Sequence, residues 1–246
     1  MDAPRALLAT WATAVGLLAV ASALSLADPT GLLRGNLAGV AALLFVVLPD
    51  RRLRARGERW QTCGLPWWGL RDGRTWRAWG RGALWAVGAC AVVFPLFLLG
   101  FAAFSRLLPG LPPAWAHLLA PYGPPEEPRL RLPPGFALMA VTQLLVVALP
   151  EELFYRGWMQ TSWAASDPSR RVRILGADLG RGFLATQALF ALGHLVRLQP
   201  WRLGTFFPGL LFGWLRARSG DLAAPVLVHA LSNLFIAVLE ASFYGR

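Results

Sequence analysis

The sequence predicts an all-α fold: a polytopic transmembrane helix bundle with about seven spans, within a range of about six to eight. Three observations predict it. Hydrophobic residues make up 56% of the 246 and charged residues only 15%, with a mean hydropathy of +0.48, whereas a soluble domain usually carries about a quarter charged residues. The 24 basic residues are all arginine and outnumber 13 acidic ones, for a net charge of +11. Those arginines fall between long apolar runs, as in the loops of a membrane protein. Nucleic-acid binding would need them on one soluble face, so no nucleic-acid partner is expected. With no lysine in the chain, a Schiff-base lysine, a P-loop lysine and a Ser-Lys dyad are excluded. Cys63 and Cys90 are too few for a cysteine zinc site or a disulfide scaffold and read as free thiols.

A membrane helix needs about 20 apolar residues. In chain order the candidates are Ala6–Ala27, Leu32–Leu48, Ala83–Leu108, Phe136–Met159, Phe183–Leu198, Leu203–Leu215 and Leu222–Phe243, the fifth and sixth being short. The first has only Arg5 opposing Asp2 ahead of an apolar run that is long for a signal peptide, so it reads as a retained helix. Arginines concentrate in three connections: Arg51 to Arg81 after the second segment, Arg170 to Arg181 after the fourth, and Arg216 and Arg218 after the sixth. The positive-inside rule then puts those loops and the N-terminus in the cytoplasm, with the protein in the plasma (inner) membrane. The juxtamembrane run Arg51-Arg52-Leu53-Arg54-Ala55-Arg56 fits a clamp on anionic lipid. Pro109 to Pro134 reads as a loop, with Glu126 and Glu127 as solvated charges between prolines. Two parts are expected: N-terminal helices with an Arg-rich cytoplasmic loop over 1–130, and a catalytic helix bundle over 131–246.

Charge inside an apolar helix asks for a reason. The fourth segment carries Pro150-Glu151-Glu152-Leu153-Phe154-Tyr155-Arg156. Adjacent side chains project about 100° apart on an α-helix, so both carboxylates reach one cavity only if it is broad or the helix is locally unwound. Pro150 supplies a kink. Glu152 and Arg156 stand at i and i+4 and can pair, which leaves Glu151 less compensated. A carboxylate drawn out of water takes up protons more readily, as a general base must. A structural ion cluster at the membrane edge would use the same three residues. His194 ends Phe190-Ala191-Leu192-Gly193-His194, and the last segment carries His229-Ala230-Leu231-Ser232-Asn233, with imidazole and amide on one helical face. Lipid satisfies none of these groups, so they point into the bundle. Together they support hydrolysis of an amide by activated water, with an imidazole and a carboxamide donating to the oxyanion. No GxSxG elbow and no HExxH is present, so a serine lipase-type mechanism and a zincin are disfavoured. Two Glu and two His remain respectable metal ligands, so a metal-dependent protease stays open as an alternative. A transporter would spread its charges along a path through the bundle.

In that order on successive apolar segments, the EExxxR of Glu151 to Arg156, the FxxxH of Phe190 to His194 and the HxxxN of His229 to Asn233 resemble the CPBP family. This family comprises CAAX prenyl proteases and bacteriocin-processing or immunity proteins, glutamic-type intramembrane endopeptidases. Phe206-Phe207-Pro208-Gly209-Leu210-Leu211-Phe212-Gly213 is similar to the family's glycine-bearing segment. The resemblance covers roughly 144–233. It implies Glu151 as the base activating water together with His194, His229 and Asn233 as the oxyanion hole, and Glu152 and Arg156 as support. It implies no cofactor and no metal. It also implies a membrane protein or peptide as substrate, with a C-terminal sorting helix, as in myxosortase-like members, as one option. The absence of lysine and the presence of only two isoleucines, Ile174 and Ile236, fit a GC-rich bacterial genome and a bacterial peptide or protein tail. A non-catalytic immunity or scaffold protein of the same fold is the remaining alternative; its mark would be a broken motif, and all three motifs are intact. The connection of about twenty residues between the fourth and fifth segments, holding Asp167 to Asp178, is long for the family.

Overall fold

The structure, a computed structural model, describes residues 4–119, 125–167 and 171–245, with only the backbone of residue 117. Asp2, Pro124 and Arg170 lie outside the described residues. The fold is an all-α membrane bundle. Its helices are α1 (Pro4–Leu24), α2 (Leu32–Arg54), α3 (Gly73–Leu107), α4 (Pro113–Leu119), α5 (Phe136–Ser166), α6 (Arg181–Gly193), α7 (Phe206–Ser219) and α8 (Ala223–Tyr244). Five of them, α1, α2, α3, α5 and α8, are long and apolar enough to cross a membrane. The other two expected spans exist as helices but are shorter: α6 has 13 residues and α7 has 14, about 20 Å each at 1.5 Å per residue. Each continues directly into a 3-10 helix, His194–Arg197 after α6 and Pro200–Thr205 before α7, which lengthens the helical run.

Lipid-facing surface is visible as exposed apolar side chains, such as Leu17 on α1 and Leu84, Leu96 and Leu99 on α3. At its start α3 extends beyond the apolar run. There Asp72 caps the helix by accepting from the Arg74 backbone N–H at 2.8 Å, and hydrogen bonding from the Arg74 side chain holds its carboxyl below the usual range. Exposed Trp67, Trp68 and Trp76 accompany the arginines of this connection, the composition of an interfacial belt.

The Pro-rich stretch from 109 to 134 differs from the expected loop. It contains α4, because Pro113 stands at the first helical position, where its missing N–H costs nothing. Further along, the segment around 126–129 lies against the end of α8: Glu126 N–H donates to the Phe243 carbonyl at 2.7 Å and Arg129 N–H to the Ser242 carbonyl at 3.1 Å. Glu126 and Glu127 pair with Arg131 and Arg129 there, largely exposed. The connection after α5 also holds a short antiparallel hairpin, β1 (Val172–Ile174) with β2 (Ala177–Leu179).

Two apolar clusters set the centre of the bundle. In one, Leu7 of α1 and Phe45 of α2 pack with Phe154, Tyr155 and Trp158 of α5 and Phe190 of α6. In the other, Ala86 of α3 meets Phe212 and Leu215 of α7 and Ala224 and Val228 of α8. Arg156 and His229 lie between these clusters, each against both Phe190 and Phe212.

Candidate active site

Helix α5 is not a uniform α-helix. It widens to π-helical turns over Gln143–Ala148 and Leu153–Met159, on either side of the short α-helical stretch Leu149–Glu152. Pro150 has no N–H to donate four residues back, and its ring crowds that carbonyl; a wider turn relieves both. Such π-turns concentrate at functional sites. Glu151 and Glu152 themselves sit in the α-helical stretch between the two wide turns, and of the two only Glu151 lines a cavity.

The two glutamates then take different environments. Glu152 is fully buried, and its Oε1 accepts from Arg156 Nη1 at 2.8 Å and from His229 Nδ1 at 2.8 Å. Glu151 keeps 16% of its side chain exposed, yet its Oε2 is buried without a hydrogen-bond partner. His229 Nε2 stands 3.8 Å from that oxygen, beyond hydrogen-bond length. Glu151 also lines a cavity of about 280 Å³ together with Tyr155 and His194. The cavity's opposite wall comes from α1 and α2, including Leu18, Leu37 and Phe45.

Both histidines are oriented through Nδ1. In His194 that nitrogen lies 2.8 Å from the Phe190 carbonyl, and in His229 it meets Glu152. Each partner is an acceptor, so Nδ1 is the donor in both rings and Nε2 is left to face the site. Phe190 packs edge-on against both imidazoles, and Phe212 stacks on His229 at 4.8 Å. The HxxxN pair is brought into the bundle but not to one partner: Asn233 Nδ2 donates to Gln143 Oε1 at 2.9 Å, on the first π-turn of α5.

Arg156 is fully buried and heavily engaged. Besides Glu152 it donates through Nη2 to Gln187 Oε1 at 2.8 Å and to the Gly209 carbonyl at 3.2 Å, with its guanidinium 4.1 Å above the Phe190 ring. The chain of bonds continues. Gln187 Nε2 donates to Gln160 Oε1 at 3.3 Å, and Gln160 Nε2 to the Gly213 carbonyl at 2.9 Å. Gly209 and Gly213 leave room for this ladder: a Cβ on Gly213 would lie 2.5 Å from Gln187 Nε2, and one on Gly209 would lie 3.1 Å from Arg156 Nη2. Among the described residues no group of three His, Cys, Asp or Glu side chains is placed to hold a metal ion. Cys63 is buried and Cys90 half-buried, and neither is in a disulfide.

Residues 133–235, which contain Glu151, Glu152, Arg156, His194, His229 and Asn233, match the family described as type II CAAX prenyl endopeptidase Rce1-like. Over these residues the chain is similar to CAAX endopeptidases. The match supports, in general terms, a membrane protease of the CAAX endopeptidase type, with a membrane protein or peptide as its class of substrate. Among curated proteins and solved structures nothing matches the chain. The three motifs did not point to Gln143, Gln160 and Gln187. Their signal is an amide in an apolar run, which lipid cannot satisfy.

Proposed function

We propose that the protein hydrolyses a peptide bond of a membrane-associated protein or peptide with water activated by Glu151 and His194. The observation that carries this reading is the Glu151 carboxylate, which lies on the wall of a cavity it shares with His194 and whose Oε2 has no hydrogen-bond partner. Glu152 cannot serve as base in the same way, because its Oε1 already accepts from Arg156 and His229 and none of it reaches the surface. Glu152 and Arg156 are the support.

The His194 Nε2 lone pair accepts a hydrogen bond from the water, and Glu151 takes its other proton. The hydroxide adds to the carbonyl carbon, and the oxyanion is met by the amide of Asn233, whose second N–H is not used by Gln143. His229, held through Nδ1 by Glu152, donates to that oxyanion from Nε2 in its doubly protonated form. The C–N bond then breaks as Glu151 returns the proton it took from water to the leaving amine, and the new carboxyl group keeps the oxygen of that water. The substrate is proposed to be a peptide or protein tail, a C-terminal sorting helix being one form of it. The Arg51–Arg81 connection is proposed to hold anionic lipid on the cytoplasmic side of the plasma membrane, with the N-terminus on that side.

Glu151→Gln keeps the shape of the side chain and removes the base. Cleavage of a reporter peptide by purified protein in detergent should fall by at least about 100-fold with an unchanged melting temperature. Chelator-treated wild type should stay active. Activity abolished by chelation and restored by zinc would replace this mechanism with metal-assisted hydrolysis.

A further inference from the structure

A second cavity, of about 290 Å³, lies at the opposite end of α6 from His194 and shares no lining residue with the cavity of Glu151. The last turns of α5, the start of α6, the end of α7 and strand β2 line it. Two of its lining residues are arginines. Arg216 donates through Nη2 to the Cys63 carbonyl at 3.2 Å and to Thr161 Oγ1 at 3.1 Å, and its Nε is buried with no partner. Arg171 donates to the Ala164 carbonyl. No carboxylate of a described residue pairs with either guanidinium. The first N–H groups of α6 open beside them, because Gly180 precedes the helix and no side chain caps that end. Guanidiniums at an uncapped helix start favour an anion. Yet Asp167 and Asp178 line the same cavity, and Asp178 has no ion pair among the described residues. A simple anion would meet two carboxylates there, and a simple cation two guanidiniums. The lining complements a group that carries both signs.

The hairpin beside this cavity has the make-up of an interfacial segment. Leu175 and Gly176, both at positive φ, close it as a two-residue turn, and Trp214 Nε1 ties it to α7 through the Ile174 carbonyl at 3.0 Å. Val172, Ile174 and Leu175 are nonetheless exposed, as is Leu184 on α6. Exposed Arg173 stands between the first two, and the Arg218 side chain lies against Gly176. Apolar side chains in such company enter the acyl region while the guanidiniums stay among headgroups, so the cavity belongs at headgroup depth.

We propose that this cavity holds the headgroup of a zwitterionic phospholipid, with its phosphate on Arg171, Arg216 and the start of α6 and its ammonium on Asp178. A primary ammonium fits better than a quaternary one, because it can donate a charge-assisted hydrogen bond to the carboxylate. A cavity of about 290 Å³ is at the small end of ligand sites: it takes a headgroup and leaves the acyl chains outside, where the exposed leucines are. The same chemistry, a phosphodiester bearing a primary amine, is offered by the free soluble headgroup, and the test separates the two sources. Gln160 lines the cavity and bonds to Gln187, which bonds to Arg156. A bound headgroup therefore also steadies the support behind Glu152. That consequence rests on the proposed hydrolytic site; the binding does not.

Full-length protein in detergent is titrated with phosphatidylethanolamine and with phosphatidylcholine, and bound lipids are counted by native mass spectrometry. Wild type should bind phosphatidylethanolamine about 3- to 10-fold more tightly, the worth of a charged hydrogen bond partly open to water. Asp178→Asn should abolish that margin, because the two ammonium groups then lose the carboxylate that tells them apart. Arg171→Gln should weaken both lipids by a similar factor, since it acts on the phosphate they share. Arg216 also ties down Cys63 and Thr161, so the exposed Arg171 and Asp178 carry the test. Displacement by glycerophosphoethanolamine at concentrations matching the lipid would assign the site to a soluble molecule; no displacement would assign it to the membrane. Equal affinities for the two lipids in wild type, or unchanged affinities in both variants, would overturn the site. In vesicles, reporter cleavage should be faster with phosphatidylethanolamine than with phosphatidylcholine, and Asp178→Asn should remove the difference. Equal rates with the binding margin intact would break the link to Glu152, whereas no cleavage in either vesicle with that margin intact would sink the hydrolytic reading and leave the lipid site standing.

Discussion

At the scale of single residues, the buried ladder from Glu152 through Arg156, Gln187 and Gln160 to the Gly213 carbonyl explains how an arginine survives inside a membrane protein. Its charge meets one carboxylate, two neutral oxygens and an aromatic face. Gln187→Leu would remove the acceptor of Arg156 and the donor to Gln160 at nearly constant volume. Leaving buried polar groups unmade costs about 1–3 kcal/mol, so the melting temperature should fall modestly. Because Arg156 holds Glu152, and Glu152 holds His229, turnover should drop more than apparent substrate affinity; the check is kcat and KM with the reporter peptide beside a detergent melt. Normal kcat in a destabilised protein would confine the ladder to stability. Glu151, Glu152, Arg156, His194, His229 and Asn233 stand out in the sequence as candidates, because each is a costly group in an apolar run. What was not legible is who bonds to whom. Spacing on one helix predicted the Glu152–Arg156 pair, but no spacing rule reaches from Glu152 on α5 to His229 on α8, or from Asn233 to Gln143.

At the scale of elements, hydrophobic run length identified the seven segments that became α1 to α3 and α5 to α8, because burying backbone polar groups in lipid forces helices. Short elements left no such trace: α4 and the β1–β2 hairpin have no apolar run of their own. The π-turns of α5 were also invisible, although Pro150 marked their place. They flank the stretch that carries Glu151 and Glu152 and set its position against the rest of the bundle, so straightening them should separate stability from activity. Pro150→Ala restores the missing N–H, and an interior proline otherwise costs a helix about 3 kcal/mol. We expect unchanged or higher thermal stability and roughly 100-fold lower turnover, the loss that a displacement of about 1 Å in a catalytic group produces. Full activity in Pro150→Ala would show that the π-turns persist without proline or that the site does not need them.

At the scale of the whole molecule, the CAAX endopeptidase match covers 133–235, and the expected division at 130 places α1 to α3 in a separate part. The physical question is whether the C-terminal part is complete without them. The cavity that Glu151 faces takes one wall from α1 and α2. Leu7 and Phe45 pack into the same core as Phe154, Trp158 and Phe190, and Trp11 Nε1 donates to the Leu189 carbonyl at 3.1 Å. In lipid the loss of these contacts is not a loss of hydrophobic burial, since acyl chains are as apolar as leucine; it is a loss of packing and interhelical hydrogen bonds. Electrostatics make the larger difference. Without α1 and α2 the carboxylate of Glu151 would face hydrocarbon, where an ionised group is expensive, and would hold its proton instead of taking one from water. A fragment of residues 131–246 should therefore insert and resist proteolysis in part, yet cleave the reporter at least about 100-fold more slowly than the full chain. Co-expression of residues 1–130 as a separate chain should restore much of the rate, because helices that fold independently in a bilayer can still associate. Full turnover by the fragment alone would mean that α5 to α8 close the site by themselves, and that α1 and α2 serve entry of the substrate and not the chemistry.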